Sequence, residues 1–150
     1  MNVRIISRVI IVNPEKDALL LARNKGASFW YPPGGGWEVE TGESLAQAGE
    51  REVMEECGVA VSIHKMLYLQ EFHEAKQTAL EVFFLGSTES EIDPNHVDLD
   101  PNGAVEEVKW ISFTELEDLK VFPERIKETL LTDIESLESL GDQYMYDSIV

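Results

Sequence analysis

The segment from Gly36 to Val59 constrains the fold and the chemistry of this chain more than any other stretch. It reads GWEVETGESLAQAGEREVMEECGV and follows two further glycines. Ser44 suits the N-cap of a helix, and Gly58 suits the position just past a helix end, where a left-handed backbone is common. The sequence therefore predicts a glycine-rich loop followed by a helix that reaches Cys57.

Three glutamates lie at the end of this predicted helix, where negative charge is unfavourable. Glu52, Glu55 and Glu56 are spaced i, i+3, i+4, so they share one helical face and repel one another. The helix dipole adds a penalty of roughly 0.3–1 kcal/mol for each exposed anion in the last turn. A solvated helix face is the ordinary explanation, but a bound Mg²⁺ or Mn²⁺, which prefers oxygen ligands, would offset the repulsion. These residues alone thus indicate metal-assisted cleavage of a phosphate compound.

The composition limits the classes of partner that this chain can bind. At 150 residues, a single domain over residues 1–150 is the natural expectation. The formal net charge of −17 argues against nucleic acid polymers and anionic membranes as partners, because both are themselves negative. Cys57 is the sole cysteine, so no intrachain disulfide can form. We find no pattern of a signal peptide or membrane span and expect a soluble, cytoplasmic protein.

The rest of the chain alternates between strand and helix patterns. Strands are predicted over residues 3–12, 18–23, 61–72, 78–86 and 107–111. The first two are expected to form a hairpin, and the next two a second antiparallel pair. A short helix is predicted after Ser112 or Thr114, and a longer one over about 124–139, behind Pro123. This order favours an α+β domain, or a layered α/β/α domain with a mixed sheet.

The segment that begins at Gly36 resembles the Nudix box. That pattern runs glycine, five residues, glutamate, seven residues, Arg-Glu, an aliphatic, any residue, Glu-Glu, any residue, glycine and an aliphatic. Every position from Glu43 to Val59 fits it. One departure is that six residues, not five, separate Gly36 from Glu43, which leaves open whether Gly36 or Gly35 is the box glycine. The resemblance implies the family's α/β/α sandwich with a mixed β-sheet.

The resemblance also implies a metal-dependent hydrolase and assigns its metal ligands by position. They fall on Glu52, Glu55 and Glu56, with the Gly36 carbonyl as a further ligand, and Mg²⁺ or Mn²⁺ is the expected metal. Among them, Glu52 and Glu56 are favoured and are also the expected catalytic carboxylates.

Two further box residues, Arg51 and Glu43, are implied to support catalysis by orienting the metal-binding carboxylates. The family's catalytic base is a glutamate whose position varies. Here the candidates are Glu56, Glu106 and Glu107, in falling order of preference.

The resemblance implies a small-molecule nucleotide substrate, namely a nucleoside diphosphate linked to another group and cleaved by water at its pyrophosphate bridge. The stretches LYLQEF and LEVFFL resemble members acting on ADP-ribose or nucleotide sugars. The alternatives are a nucleoside triphosphate pyrophosphohydrolase that cleanses the nucleotide pool, and a non-catalytic nucleotide-sensing module. Arg23 and Trp30 are candidate substrate contacts. The ordinary alternatives are surface charge for Arg23 and core packing for Trp30. The apolar tail from Tyr144 to Val150 has two possible roles. It could form a homodimer contact, or it could dock on the body of its own chain.

Overall fold

The structure is a computed structural model that describes residues 2–15, 17–92, 103–140 and 143–147. Its strands are β1 (Asn2–Ile11), β2 (Ala18–Asn24), β3 (Gly34–Gly36), β4 (Ser62–Glu74), β5 (Gln77–Ser87) and β6 (Val105–Ser112). Its helices are α1 (Leu45–Cys57), α2 (Phe113–Leu116) and α3 (Arg125–Glu138), and a 3-10 turn spans Val39–Thr41. Within the ranges described, no helix has the length and apolar character needed to cross a lipid bilayer.

The strands form one mixed sheet of four strands and one antiparallel sheet of two. The larger sheet has the order β3-β1-β5-β4, and the smaller sheet pairs β2 with β6. β1 runs parallel to β5, whereas the β1–β3 and β4–β5 pairs are antiparallel. The predicted second antiparallel pair is therefore confirmed, and so is the α+β class with a mixed β-sheet.

The predicted hairpin between residues 3–12 and 18–23 is wrong. β2 pairs along its length with β6 and meets β1 at an isolated bridge between Val12 and Leu19. β1 is already flanked by β3 and β5 in the larger sheet. The chain therefore turns after β1 and starts the second sheet, in which β6 is the partner of β2.

Alternate residues of β1 enter two separate apolar clusters, as the two-residue period of a strand requires. Val9 and Ile11 pack with Val53 and Cys57 of α1. Ile10 instead packs in a second cluster that includes side chains of α2 and α3. Helices thus cover opposite faces of the sheet, which confirms the α/β/α sandwich.

Local signals hold α1 at both ends and against the sheet. Ser44 and Gln47 form a reciprocal capping box, in which each side chain accepts a hydrogen bond from the other's backbone N–H. Gly58 ends the helix with φ of 66° in the left-handed region. The Ser7 hydroxyl of β1 donates to the carbonyl of Leu45 at 2.7 Å. The start of α1 is therefore tied to β1, and this fixes where its carboxylates lie.

Candidate active site

A cleft of about 670 Å³ opens beside the glycine strand β3. Glu52 and Glu56 of α1 line it together with the three glycines, Gly34–Gly36. Its volume lies within the range of roughly 300–1,000 Å³ that is typical of small-molecule sites. The fold therefore brings two of the predicted metal-binding carboxylates to the wall of one cavity.

The lack of a side chain at Gly35 lets α1 place a carboxylate directly against β3. A Cβ at residue 35 would lie 2.5 Å from Cδ of Glu52 and 2.6 Å from both of its carboxylate oxygens. Glu52 is only 8% exposed in this position. One turn later, Oε2 of Glu56 accepts a hydrogen bond of 3.1 Å from the N–H of Gly34. β3 thus makes room for one carboxylate and binds the other.

Arg51 links three carboxylates of the box to the end of β3. Its guanidinium donates to the two oxygens of Glu43 at 3.0 and 2.9 Å, and to Oε1 of Glu52 at 3.0 Å. It also donates to the carbonyl of Gly36 at 3.0 Å and lies 3.3 Å from both oxygens of Glu55. The repulsion expected among the glutamates is therefore reduced within the chain itself, by this guanidinium and by a β3 amide.

Hydrogen bonding and burial shift the pKa values of two of these carboxyls in opposite directions. The hydrogen bonds from Arg51 hold the pKa of Glu43 below its ordinary value, because they favour the charged form. Burial raises the pKa of Glu52 above its ordinary value, although Arg51 pulls the other way. Glu43 is thus a stable anion that anchors Arg51, whereas the charge on Glu52 is costly to desolvate.

The donor chemistry of the cleft fits a hard divalent cation. Mg²⁺ is commonly bound by one or two carboxylates together with waters and substrate phosphate oxygens. Glu52 and Glu56 supply two such carboxylates, and Gly35 leaves the space that the first one needs. Glu55 is held by Arg51 and is not part of the cleft wall. In the described part of the chain, no three His, Cys, Asp or Glu side chains converge as a preformed metal cluster.

Four predicted residues lie together and do not contribute to the described wall of the cleft. Arg23 pairs with Glu106 at 2.8 Å and with Glu107 at 3.3 Å, and its guanidinium carbon lies 5.5 Å from the centroid of a Trp30 ring. Trp30 is buried in the second apolar cluster. None of the four is among the described residues that line the cleft. Arg23, Glu106, Glu107 and Trp30 therefore contact one another rather than forming the described cleft wall.

Two arginines of β1 line the cleft, although neither is among the site residues predicted from the sequence. Arg4 and Arg8 face it together with Ile6, since alternate residues of a strand share one side. Arg8 donates to Oε2 of Glu81 at 3.1 Å and to the carbonyl of Pro32 at 3.2 Å. Their even spacing in a predicted strand indicates that Arg4 and Arg8 share one side of it. It does not indicate whether that side faces a cleft.

Aromatic side chains from three separate segments form another part of the wall. Phe29 and Phe122 meet edge to face with ring centroids 5.2 Å apart, and the Tyr31 ring lies 6.4 Å from Phe29. Phe122 and Phe72 keep 41% and 48% of their surface exposed. The Tyr31 hydroxyl donates to the side-chain oxygen of Asn24. Exposed rings beside a polar amide suit a planar ligand group with hydrogen-bonding edges.

Comparisons with known proteins agree with this arrangement. Residues 3–131 match the family model described as the NUDIX domain. The chain is 37% identical over 65 residues to the oxidized purine nucleoside triphosphate hydrolase of Danio rerio, covering 42% of this chain and 40% of that protein. It is 33% identical over 73 residues to Nudix hydrolase 18, mitochondrial, of Arabidopsis thaliana, covering 48% of this chain and 40% of that protein.

These alignments span about 40% of the length of the curated relatives. The fold matches the crystal structure of the MutT protein from Methanosarcina mazei Go1 with a TM-score of 0.68 at 18% identity, covering 92% of this chain and 97% of that one.

Proposed function

This chain belongs to the Nudix family, and we propose that it hydrolyses a phosphoanhydride bond in a nucleoside diphosphate-linked compound with the help of a divalent metal ion. The observation that carries the proposal is the pair Glu52 and Glu56, which line one cleft of nucleotide size. Both side chains are fixed by contacts to β3 rather than left free on a helix surface. A solvated acidic helix face would not need such contacts.

Glu52 and Glu56 are the residues that would hold Mg²⁺ or Mn²⁺ in this cleft. When bound, such an ion neutralises charge on phosphoryl oxygens and lowers the pKa of a coordinated water. Arg51 orients Glu52 through its 3.0 Å hydrogen bond, and Glu43 in turn fixes Arg51 through both of its oxygens. Glu55 and the carbonyl of Gly36, both held by Arg51, are second in preference as ligands.

Glu56 is our proposed catalytic base. Its carboxylate lines the cleft, and the N–H of Gly34 holds it in place at 3.1 Å. It would take a proton from the attacking water as the water forms a bond to phosphorus and the bridging oxygen leaves with its electron pair. Glu106 and Glu107 are weaker candidates because each is paired with Arg23 outside the described wall of the cleft.

The aromatic part of the cleft supports a nucleotide, rather than a simple polyphosphate, as the substrate. A nucleobase would stack on the exposed ring of Phe122 or Phe72, and Asn24 would supply a polar contact at its edge. Within this class we favour ADP-ribose or a nucleotide sugar. A nucleoside triphosphate is the second candidate, because the Danio rerio relative is named for hydrolysis of oxidized purine nucleoside triphosphates.

Product identification after incubation with Mg²⁺ tests this proposal and separates its alternatives. ADP-ribose should give AMP and ribose 5-phosphate, whereas a nucleoside triphosphate should give a monophosphate and pyrophosphate. A chelator should abolish turnover, and Glu56→Gln should lower kcat by about 10²-fold or more at unchanged thermal stability. Nucleotide binding without turnover across the full substrate set would instead identify a sensing module and overturn the hydrolase.

A cytoplasmic location and a homodimer are further parts of the proposal. The Tyr144 ring packs edge to face on Phe84 with centroids 5.0 Å apart, so part of the tail docks internally. Met145 and Tyr146 are exposed beyond it and are available for a second copy. Residues 148–150 of the predicted contact lie outside the described residues. Sedimentation of the protein and of a Met145→Ser/Tyr146→Ser variant tests whether these side chains support a dimer.

A further inference from the structure

β3 stands between the carboxylates and a second charged group of opposite sign. Successive residues of a strand point to opposite sides. A Cβ at Gly35 would point toward Glu52, whereas a Cβ at Gly36 would lie 3.5 Å from a guanidinium nitrogen of Arg4. Arg4 and Arg8 line the same cleft as Glu52. A strand without side chains therefore exposes the cleft to acidic groups on one side and to guanidinium groups on the other.

Arg4 differs from the other arginines in the part of the chain that the structure describes. Arg8, Arg23, Arg51 and Arg125 each form an ion pair with a carboxylate. No ion pair or hydrogen bond joins the Arg4 guanidinium to a described residue. The chain contains 29 acidic and 12 basic residues, so a shortage of carboxylates does not explain this. An arginine that faces a cleft without an internal partner has its hydrogen-bond donors available for a ligand.

We infer that Arg4 is a substrate-binding residue that contacts a phosphoryl group of the substrate on the side of β3 opposite Glu52. The inference rests on the proposed function and names a substrate contact within that site. The planar guanidinium matches two phosphate oxygens at once, which an ammonium group does not. Arg8, held by Glu81 and by the carbonyl of Pro32, adds a second positive charge beside it.

The overall charge of the chain makes a local positive group favourable for binding an anionic substrate. With a formal net charge of −17, the protein repels phosphates at long range. The carboxylates beside β3 repel them locally as well, until metal ions are bound. A guanidinium at the cleft wall supplies local attraction that depends on neither metal nor catalysis. Phosphate binding through Arg4 is therefore measurable without divalent ions.

Calorimetric titration with inorganic pyrophosphate in EDTA tests this inference apart from turnover. Arg4→Gln should weaken pyrophosphate binding by about 10-fold or more, as expected for the loss of charge-assisted hydrogen bonds. Arg4→Lys should restore part of the affinity, because the charge returns without the planar geometry. Arg125→Gln removes the same charge from an exposed residue outside the described cleft wall and should bind like the unsubstituted protein.

Steady-state kinetics with the identified substrate gives a second readout. Arg4→Gln should raise KM by about 10-fold while kcat stays within about threefold, because the contact is formed in both the ground state and the transition state. Equal pyrophosphate affinity in the Arg4 and Arg125 variants, or no measurable binding by the unsubstituted protein, overturns the inference even if the protein hydrolyses nucleotides. Arg4-dependent binding without turnover would overturn the proposed function instead and leave the phosphate site standing.

Discussion

The carboxylate of Glu52 occupies the space beside Gly35, where a Cβ at residue 35 would lie 2.5 Å from Cδ of Glu52. Substituting Gly35 by alanine should therefore displace Glu52 from the cleft. We expect a loss of only about 1 kcal/mol in the free energy of unfolding, because the clashing atoms are the end of a flexible side chain. We expect a fall in kcat/KM of at least about 10²-fold. Urea unfolding and steady-state kinetics measure the two effects.

Gly36→Ala is the steric control for the stability effect, because a Cβ there would meet its nearest atom at an ordinary 3.5 Å. It should leave the free energy of unfolding closer to that of the unsubstituted protein. Equal losses in the two variants would show that the Gly35 contact with Glu52 has no special cost.

Glu52 should lower the stability of the protein while serving its function. Its carboxylate is 8% exposed, and burial raises its pKa, so keeping it ionised near neutral pH costs free energy. Glu52→Gln retains the shape and an acceptor for Arg51, and should raise the free energy of unfolding by about 1 kcal/mol in metal-free buffer. Turnover should fall by about 10²-fold or more. A less stable variant would show that the Arg51 contact outweighs the cost of desolvation.

Phe122 should contribute affinity through the nucleobase. Its ring is 41% exposed and lines the cleft. Because stacking of one base on an aromatic side chain is worth about 1–3 kcal/mol, Phe122→Ala should raise KM for the preferred nucleotide by roughly 5- to 150-fold. Leu131→Ala removes a similarly exposed apolar side chain outside the described cleft wall and should leave KM unchanged. Equal KM values in the two variants would rule out stacking on Phe122.

Asp133 should make the protein sensitive to acid. It accepts hydrogen bonds from Arg125, Tyr68 and Thr129, and those from Arg125 contribute most to lowering its pKa from 3.8 to about 2. A carboxyl whose pKa is depressed by folding stabilises the native state above its unfolded pKa, and this stabilisation disappears as the pH falls toward the folded pKa. The difference in free energy of unfolding between the unsubstituted protein and Asp133→Asn should therefore be largest above pH 4 and shrink toward pH 2.

Urea unfolding at several pH values measures this difference for Asp133. A difference that stays constant down to pH 2 would show that the contribution of Asp133 does not come from its ionised form.

The local sequence was sufficient to predict α1 and the order of its charged residues. Ser44 and Gly58 mark its two ends, and the backbone groups that such residues satisfy lie within a few positions along the chain. The spacing of Glu52 and Glu56 fixes their common face in the same way. The pairing of β4 with β5 was also predictable, because a short turn joins the two strands.

Only the tertiary structure decided which elements meet across long sequence separations. The strand β2 joins β6 rather than β1. Arg23, a predicted substrate contact, pairs with Glu106 and Glu107, which were candidate bases. The same holds for Arg4 and Phe122, which reach one cleft from distant parts of the chain. Hydrophobic periodicity tells which side of a strand or helix is buried, but backbone hydrogen-bonding edges are chemically alike. Their partners are therefore selected by the packing of the whole domain.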